Sequence, residues 1–121
     1  KDKKETIEQS EQVDGKLEPT QLAIKINSVI SLEDSLKKGN FGIHNKSNNI
    51  YDLIVKIYLK DTNELVYTSP KLKPGEKIEQ AKLDKKIGKG VYKAVAYFEA
   101  YDEKNNYKGK SGIEIDINIR K

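Results

Sequence analysis

Residues 53–60 read LIVKIYLK, and this stretch decides the fold. Large apolar residues occupy every second position from Leu53 to Leu59, opposite a set that includes two lysines and a tyrosine. Side chains of a β-strand point alternately to the two faces of a sheet, so the pattern predicts a strand with one buried face. The same alternation recurs in VYKAVAYFEAY at 91–101 and in IEIDINI at 113–119.

Shorter apolar stretches bring the predicted total to about seven strands. They lie at 22–27 with an extension over 29–32, around Phe41 and Ile43, at 64–68 and at 77–80. Residues 81–87 are predicted to form a single helical turn, and 102–111 a ten-residue polar loop. With no helix of useful length, the fold class is all-β, and the pattern predicts an antiparallel sandwich.

The tripeptide Gly90-Val91-Tyr92 refines this prediction. It stands at the start of the penultimate strand, where an immunoglobulin-like sandwich has a tyrosine that hydrogen-bonds to the backbone a few residues upstream. We therefore predict an immunoglobulin-like sandwich in which Tyr92 is a structural corner residue. The alternative is that Tyr92 is an ordinary core aromatic residue.

The composition excludes several kinds of chemistry. The chain has 121 residues, with 23 Lys+Arg, 19 Asp+Glu and one His, a formal net charge of +4, and no Cys, Met or Trp. Without cysteine there is no structural Cys–zinc site, disulfide framework, cysteine nucleophile or iron–sulfur centre. No apolar run approaches the roughly 18 residues that a membrane-spanning helix needs.

The chain divides into a polar stalk at residues 1–18 and a folded domain at 19–121. The first segment, KDKKETIEQSEQVDGKLE, has too few large apolar residues to offset the entropy of ordering it, although a short helix is an alternative. It carries four lysines and six acidic residues, which leaves 19 basic and 13 acidic residues, a net +6, on the domain. Because the sequence begins with Lys rather than Met, we expect a signal or lipid anchor upstream as the means of membrane attachment. A cytosolic protein with a frayed end would look the same.

No catalytic constellation emerges from the residues. A hydrolase triad would depend on the single histidine, His44, which the alternation places on the exposed face of a strand. The DEKNN segment at 102–106 lacks the order of a calcium loop and is better explained as a hairpin tip. We therefore predict no catalytic residue, no metal site and no cofactor. The lysines of KLDKKIGK at 82–89 form either a solvated loop or a patch for an anionic polymer, without a specific nucleic-acid motif.

A candidate binding surface follows from the predicted strand pairing. If the strands at 53–60, 91–101 and 113–119 pair with the middle one central, their outward side chains form one surface. Tyrosines with flanking charges suit the core of an interface with a polar rim, whereas the alternative is a simple ladder of cross-strand pairs. The predicted partner-binding residues are Lys56, Tyr58, Lys60, Val95, Tyr97, Tyr101, Glu114 and Asp116.

Residues 40–100 contain a recurring pattern of turn and corner residues. It consists of Asn45-Lys46-Ser47, Tyr51-Asp52-Leu53, Tyr58, Leu72-Lys73-Pro74-Gly75-Glu76, Gly90-Val91-Tyr92 and Ala94. This pattern resembles small immunoglobulin- or fibronectin-type sandwiches in surface proteins and lipoproteins of Gram-positive bacteria. More distantly, it is similar to the intracellular proteinase inhibitor domain of Bacillus. The resemblance implies an exported bacterial β-sandwich, and it carries no functional residue over to this chain.

The expected function is a non-catalytic binding or adhesion module at a bacterial surface, outside the cytoplasm. Its expected partner is a protein or an anionic cell-wall polymer, and the sequence leaves the oligomeric state open. The alternatives are a protease inhibitor that presents a loop over 68–76, and a structural spacer. An enzyme has the least support because the residues offer no catalytic set.

Overall fold

In the described ranges of the chain, β-strands are the only regular secondary structure. The computed structural model describes residues 6–7 and 22–121. The strands are β1 (Thr6–Ile7), β2 (Ile24–Lys25), β3 (Val29–Leu32), β4 (Gly39–Asn45), β5 (Asp52–Leu59), β6 (Leu65–Thr68), β7 (Lys77–Ala81), β8 (Gly90–Tyr101) and β9 (Tyr107–Ile119). The predicted all-β class is confirmed, and residues 22–121 contain eight strands where the sequence predicts about seven. Apart from Thr6–Ile7, the predicted stalk at 1–18 lies outside the described residues.

The strands form two sheets. The first has the order β1-β2-β4-β7, and the second has the order β3-β9-β8-β5-β6. All pairs are antiparallel except β3 with β9, which run parallel. In the described part of the chain there is no helix that could cross a membrane.

The core lies between the two sheets. Phe41 of β4 meets Tyr67 of β6 across it, with ring centroids 5.0 Å apart. Alternate residues of β5, β8 and β9 complete it, because each of these strands turns every second side chain inward. Fully buried members include Leu22, Ile24, Ile30, Ile43, Leu53, Val55, Ile57, Phe98 and Ile117.

The apolar stretch at 22–32 is divided between the sheets. Its first part, β2, pairs with β4, whereas β3 crosses over to pair with β9. Asn27 makes the corner, since its backbone N donates to the Phe41 oxygen at 3.0 Å and its Nδ2 donates to the Asn40 oxygen at 3.2 Å. Gly42 sits in the facing bulge of β4 with a φ of 61°, a conformation in which glycine is favoured. The predicted extension of one strand is therefore two strands in different sheets.

Two other local predictions were wrong. Residues 81–87 form no helical turn, because their polar groups bond to distant segments instead. The predicted loop at 102–111 is half as long, since β9 already begins at Tyr107 and pairs with β8 from there onward. Tyr92, for which the sequence predicts a structural corner role, makes a backbone contact: its hydroxyl donates to the Gly88 oxygen, four residues upstream, at 2.7 Å.

Two buried asparagines tie three segments together at the end of the sandwich where β4 finishes. Asn45 donates from Nδ2 to the Tyr51 and Leu72 oxygens at 3.0 and 2.9 Å. Asn49 donates from Nδ2 to the Asn45 Oδ1 at 2.6 Å and to the Ala23 oxygen at 2.7 Å, and its Oδ1 accepts from the Ala23 N at 2.7 Å. Both amides are thus satisfied although they are shielded from water, which is the condition for burying them at low cost.

Candidate binding surface

The candidate surface is the outer face of the second sheet, by which we mean the side chains of β5, β8 and β9 that point away from the core. The register sets Lys56 opposite Tyr97, and Tyr58 opposite Val95, which in turn faces Glu114. The inward neighbours on β5 are fully buried, so the alternation leaves this set on the outside. The pairing of the three strands, with β8 central, is the one that the sequence predicts.

All eight predicted residues lie on or at the end of this face, in three groups. Lys60, Glu114 and Asp116 are at the end where β8 begins, and Lys60 N donates to the Lys93 oxygen at 2.9 Å just beyond β5. Tyr101 lies at the opposite end, paired with Asp52. The remaining four, Lys56, Tyr58, Val95 and Tyr97, form the middle of the face.

A first pair of tyrosines occupies the middle. The rings of Tyr58 and Tyr97 meet edge to face with centroids 5.9 Å apart and an interplanar angle of 71°. Tyr97 lies over Gly112, where a Cβ atom would come within 3.0 Å of the ring, and the Lys110 ammonium stands 4.1 Å from the ring centroid. A cation at this distance from an aromatic ring is attracted by its quadrupole, and this attraction stabilises the arrangement of Lys110 over Tyr97.

A second pair lies towards the end of β8. Tyr101 and Tyr107 have ring centroids 5.7 Å apart, and the Lys71 ammonium is 5.3 Å from the Tyr101 centroid. The Tyr101 hydroxyl donates to Glu99 Oε1 at 3.0 Å, and burial followed by this hydrogen bond raises the pKa of Tyr101. The same oxygen lies 3.2 Å from the Lys56 ammonium, and this contact raises the pKa of Lys56. Glu99 therefore joins Tyr101 to Lys56, which is the cross-strand neighbour of Tyr97.

Ion pairs close the other end of the face. Lys60 lies 2.6 Å from Glu114, whose pKa is lowered by this hydrogen bond, and Lys93 lies 3.1 Å from Asp116. The four charged side chains, together with Val29 and neighbouring backbone, line an open cavity of about 290 Å³. The cations and anions alternate here, so this end is polar but has no excess of either charge.

No family model, curated protein or solved structure matches this chain. Its function is therefore inferred from the geometry of the described residues. Among them, no group of three or more His, Cys, Asp and Glu side chains is placed to hold a metal ion. His44 contacts Glu79 of the neighbouring strand at 3.2 Å, and this hydrogen bond lowers the pKa of Glu79.

In the oxygen-rich turn after β8, the Asp102 carboxylate already accepts hydrogen bonds from the turn itself. Asp102 Oδ1 accepts from the Lys104 and Asn106 backbone N atoms at 2.9 and 2.8 Å. Its Oδ2 accepts from Asn106 Nδ2 at 3.2 Å, and these bonds, with that from the Asn106 backbone first, lower the pKa of Asp102. The carboxylate thus stabilises the hairpin tip.

The sequence patterns do not predict four residues of this surface: Lys71, Glu99, Tyr107 and Lys110. Glu99 and Lys110 face each other across β8 and β9, one row from Tyr97. Continuing the alternation of 113–119 backwards through Ser111 and Gly109 would have placed Lys110 on the outer face. No local pattern predicts Lys71, because it belongs to a loop that folds back from β6.

Proposed function

We propose that this chain is a non-catalytic binding module that engages a protein partner through the outer face. The single observation that carries the proposal is the presence of two tyrosine pairs, Tyr58 with Tyr97 and Tyr101 with Tyr107, on one face of the sheet. Tyrosine offers a large contact area with few rotatable bonds, and the charges around it suit a polar rim.

The strand order supports an immunoglobulin-like fold for this module. In such domains the strands usually lettered G, F, C and C′ follow one another in one sheet, with A, B and E in the other. Here β9, β8, β5 and β6 stand in the first order and β2, β4 and β7 in the second. Tyr92 at the start of β8 occupies the place of the corner tyrosine, and its bond to Gly88 supports that assignment.

We further propose that the module belongs to a bacterial surface protein or lipoprotein and acts outside the cytoplasm. The support for this is the resemblance over residues 40–100. The protease-inhibitor alternative has less support. Its loop at 68–76 is fastened to β5 through Leu72, which is 5 % exposed and exchanges two 2.8 Å backbone bonds with Leu53.

A photocrosslinking experiment tests the binding proposal. A photoreactive residue is placed at Val95, in the middle of the outer face, and in a second version at Ile50, which is 68 % exposed and outside that face. Crosslinking is performed against the surface proteins of the source cells and against the unlabelled chain. We expect one partner, captured from Val95 and not from Ile50.

Affinity measurements with that purified partner complete the test. Tyr58→Ser with Tyr97→Ser should raise Kd at least tenfold, because buried tyrosines are typical interface hot spots. The matched control, Leu36→Ser with Ile50→Ser, removes two exposed apolar side chains elsewhere and should leave Kd within twofold. Absence of a specific crosslink from Val95, or an unchanged Kd in the tyrosine variant, would refute the proposal.

A further inference from the structure

Six lysines from two loops meet at one end of the sandwich, away from the tyrosine pairs. This end is where β4 begins at Gly39 and β8 begins at Gly90. One loop joins β3 to β4 and the other joins β7 to β8. We call the six the basic pole: Lys37, Lys38, Lys82, Lys85, Lys86 and Lys89, all exposed.

A single buried serine holds the two loops together. Ser35 is 1 % exposed, and its backbone oxygen accepts from the Leu83 N at 3.1 Å. Its Oγ accepts from the Ile87 N at 3.0 Å. Leu83 is itself buried in the core, so the lysines on either side of it are displayed from a fixed backbone.

Other contacts fasten the second loop to the sheets. The Asp84 N donates to the Val66 oxygen at 2.8 Å, and Asp84 Oδ2 accepts from the Thr68 N at 2.8 Å. The Tyr92 hydroxyl donates to the Gly88 oxygen at 2.7 Å. A surface that is already ordered loses little conformational entropy on binding, which favours its use as a binding site.

The pole carries a net positive charge, most of it on the second loop. Residues 33–38 are neutral in sum, and residues 82–89 carry four lysines and one aspartate, a net +3. Lys85 lies 3.4 Å from Glu64, and Lys121 lies 3.3 Å from Glu33, which neutralises the acid at the start of the first loop. In residues 22–121 the other five lysines of the pole form no salt bridge.

We propose that the basic pole binds a flexible polymer of repeating phosphate groups that carries no bases. Lysine ammonium groups are point charges that bind phosphates without the planar geometry of arginine, so recognition depends on charge density. Neither 33–38 nor 82–89 contains an aromatic residue, and the neighbouring Tyr92 has its hydroxyl bonded to the Gly88 oxygen. Stacking of bases on aromatic rings is the usual basis of single-strand nucleic-acid binding. The pole and the outer face are separate sites, and neither proposal depends on the other.

The test measures binding of fluorescently labelled poly(glycerol phosphate) to the full chain at several salt concentrations. Contacts from five lysines give a slope of about −3.5 in log K against log salt, a loss of about 100-fold between 50 and 200 mM. Lys82→Gln, Lys86→Gln and Lys89→Gln together should reduce that loss to about 7-fold. Lys37→Gln with Lys38→Gln should reduce it to about 20-fold, because both loops contact the same chain of phosphates.

A matched control has the same loss of charge at the other end of the sandwich. The control variant carries Lys46→Gln, Lys73→Gln and Lys104→Gln. These positions are near the ends of β4, of the β6–β7 loop and of β8, and the variant should leave the salt slope unchanged. An equal effect of this control would refute the site. Tenfold tighter binding of a thymidine oligonucleotide of equal phosphate number, or of phosphatidylglycerol vesicles, would refute the proposed polymer. Retention of poly(glycerol phosphate) binding by the Tyr58→Ser, Tyr97→Ser variant is expected and keeps the two proposals distinguishable.

Discussion

Replacing Asn49 with alanine should destabilise the fold far more than its place in a surface turn indicates. The change removes the acceptor of the Ala23 N–H, which bonds at 2.7 Å, and the donor to Asn45 Oδ1, which bonds at 2.6 Å. The Ala23 oxygen keeps a second partner, the Lys46 N at 3.2 Å. Two shielded groups therefore lose their hydrogen-bond partners within this network, at about 1–3 kcal/mol each, or about 2–6 kcal/mol in total.

Urea denaturation followed by circular dichroism measures this loss. With an m-value of about 1–2 kcal/mol per M, the midpoint should fall by at least about 1 M. Asn48→Ala is the matched control, because Asn48 is exposed in the same turn, and its effect should stay within about 0.5 kcal/mol. Equal stability of the two alanine variants would refute the reasoning.

Asn49→Asp provides an independent check on which atoms donate. Its second oxygen would face two acceptors, the Ala23 oxygen and Asn45 Oδ1, and the Asn45 amide cannot turn over because its Nδ2 serves two carbonyls. The folded state would then favour the protonated acid, which raises its pKa above the unfolded value of about 3.9. A group with a raised folded pKa stabilises below that value and loses the effect as pH rises, so this variant should be more stable at pH 4 than at pH 7 relative to Asn49→Ala.

Two further predictions concern the backbone and the titration of the core. Gly42→Ala should cost about 1–3 kcal/mol, because the φ of 61° is strained for alanine and the new Cβ would lie 2.5 Å from Asn27 Oδ1. Gly88→Ala, with nothing within 4 Å of its Cβ, should stay within about 0.5 kcal/mol in the same urea assay, and a similar loss in both would contradict this. Burial, with Asp84 adding to it, raises the pKa of Tyr67 to about 12, so the unfolded chain ionises this group near pH 10 while the folded chain keeps its proton. Stability should therefore fall as pH rises above 10, and ultraviolet titration should lose a component near pH 12 in Tyr67→Phe; survival of that component would contradict this.

The sequence predicts the central sheet well because its information is local. Alternation over β5 and β8 identifies both the buried set and the outward set, and a strand of this period has only one way to bury its apolar face. The start of β9 was missed because Tyr107–Gly112 has two glycines and a buried serine, residues that seldom favour strands. Pairing with β8 overrides that weak preference.

The rest of the fold depends on contacts that no local pattern contains. Residues 81–87 look able to form a helical turn, but Leu83 and Ile87 donate to Ser35, about fifty positions earlier in the chain. Asn49 is typical of a turn by composition, and its decisive partner is Ala23. For the same reason the sequence identifies the basic segment at 82–89, whereas only the structure shows that Lys37 and Lys38 lie on the loop packed against it.

The parallel pairing of β3 with β9 has a consequence for how the protein is made. β9 lies between β3 and β8 in the second sheet, yet residues 33–106 are synthesised between the emergence of β3 and the start of β9. At about 5–20 residues per second, this interval is roughly 4–15 s. Throughout it, the buried Ile30 and Leu32 have no partner in that sheet, and β8 has one open edge from its own synthesis until β9 follows. The nascent chain therefore cannot complete its core in stages, and folding must wait for the last strand to be translated.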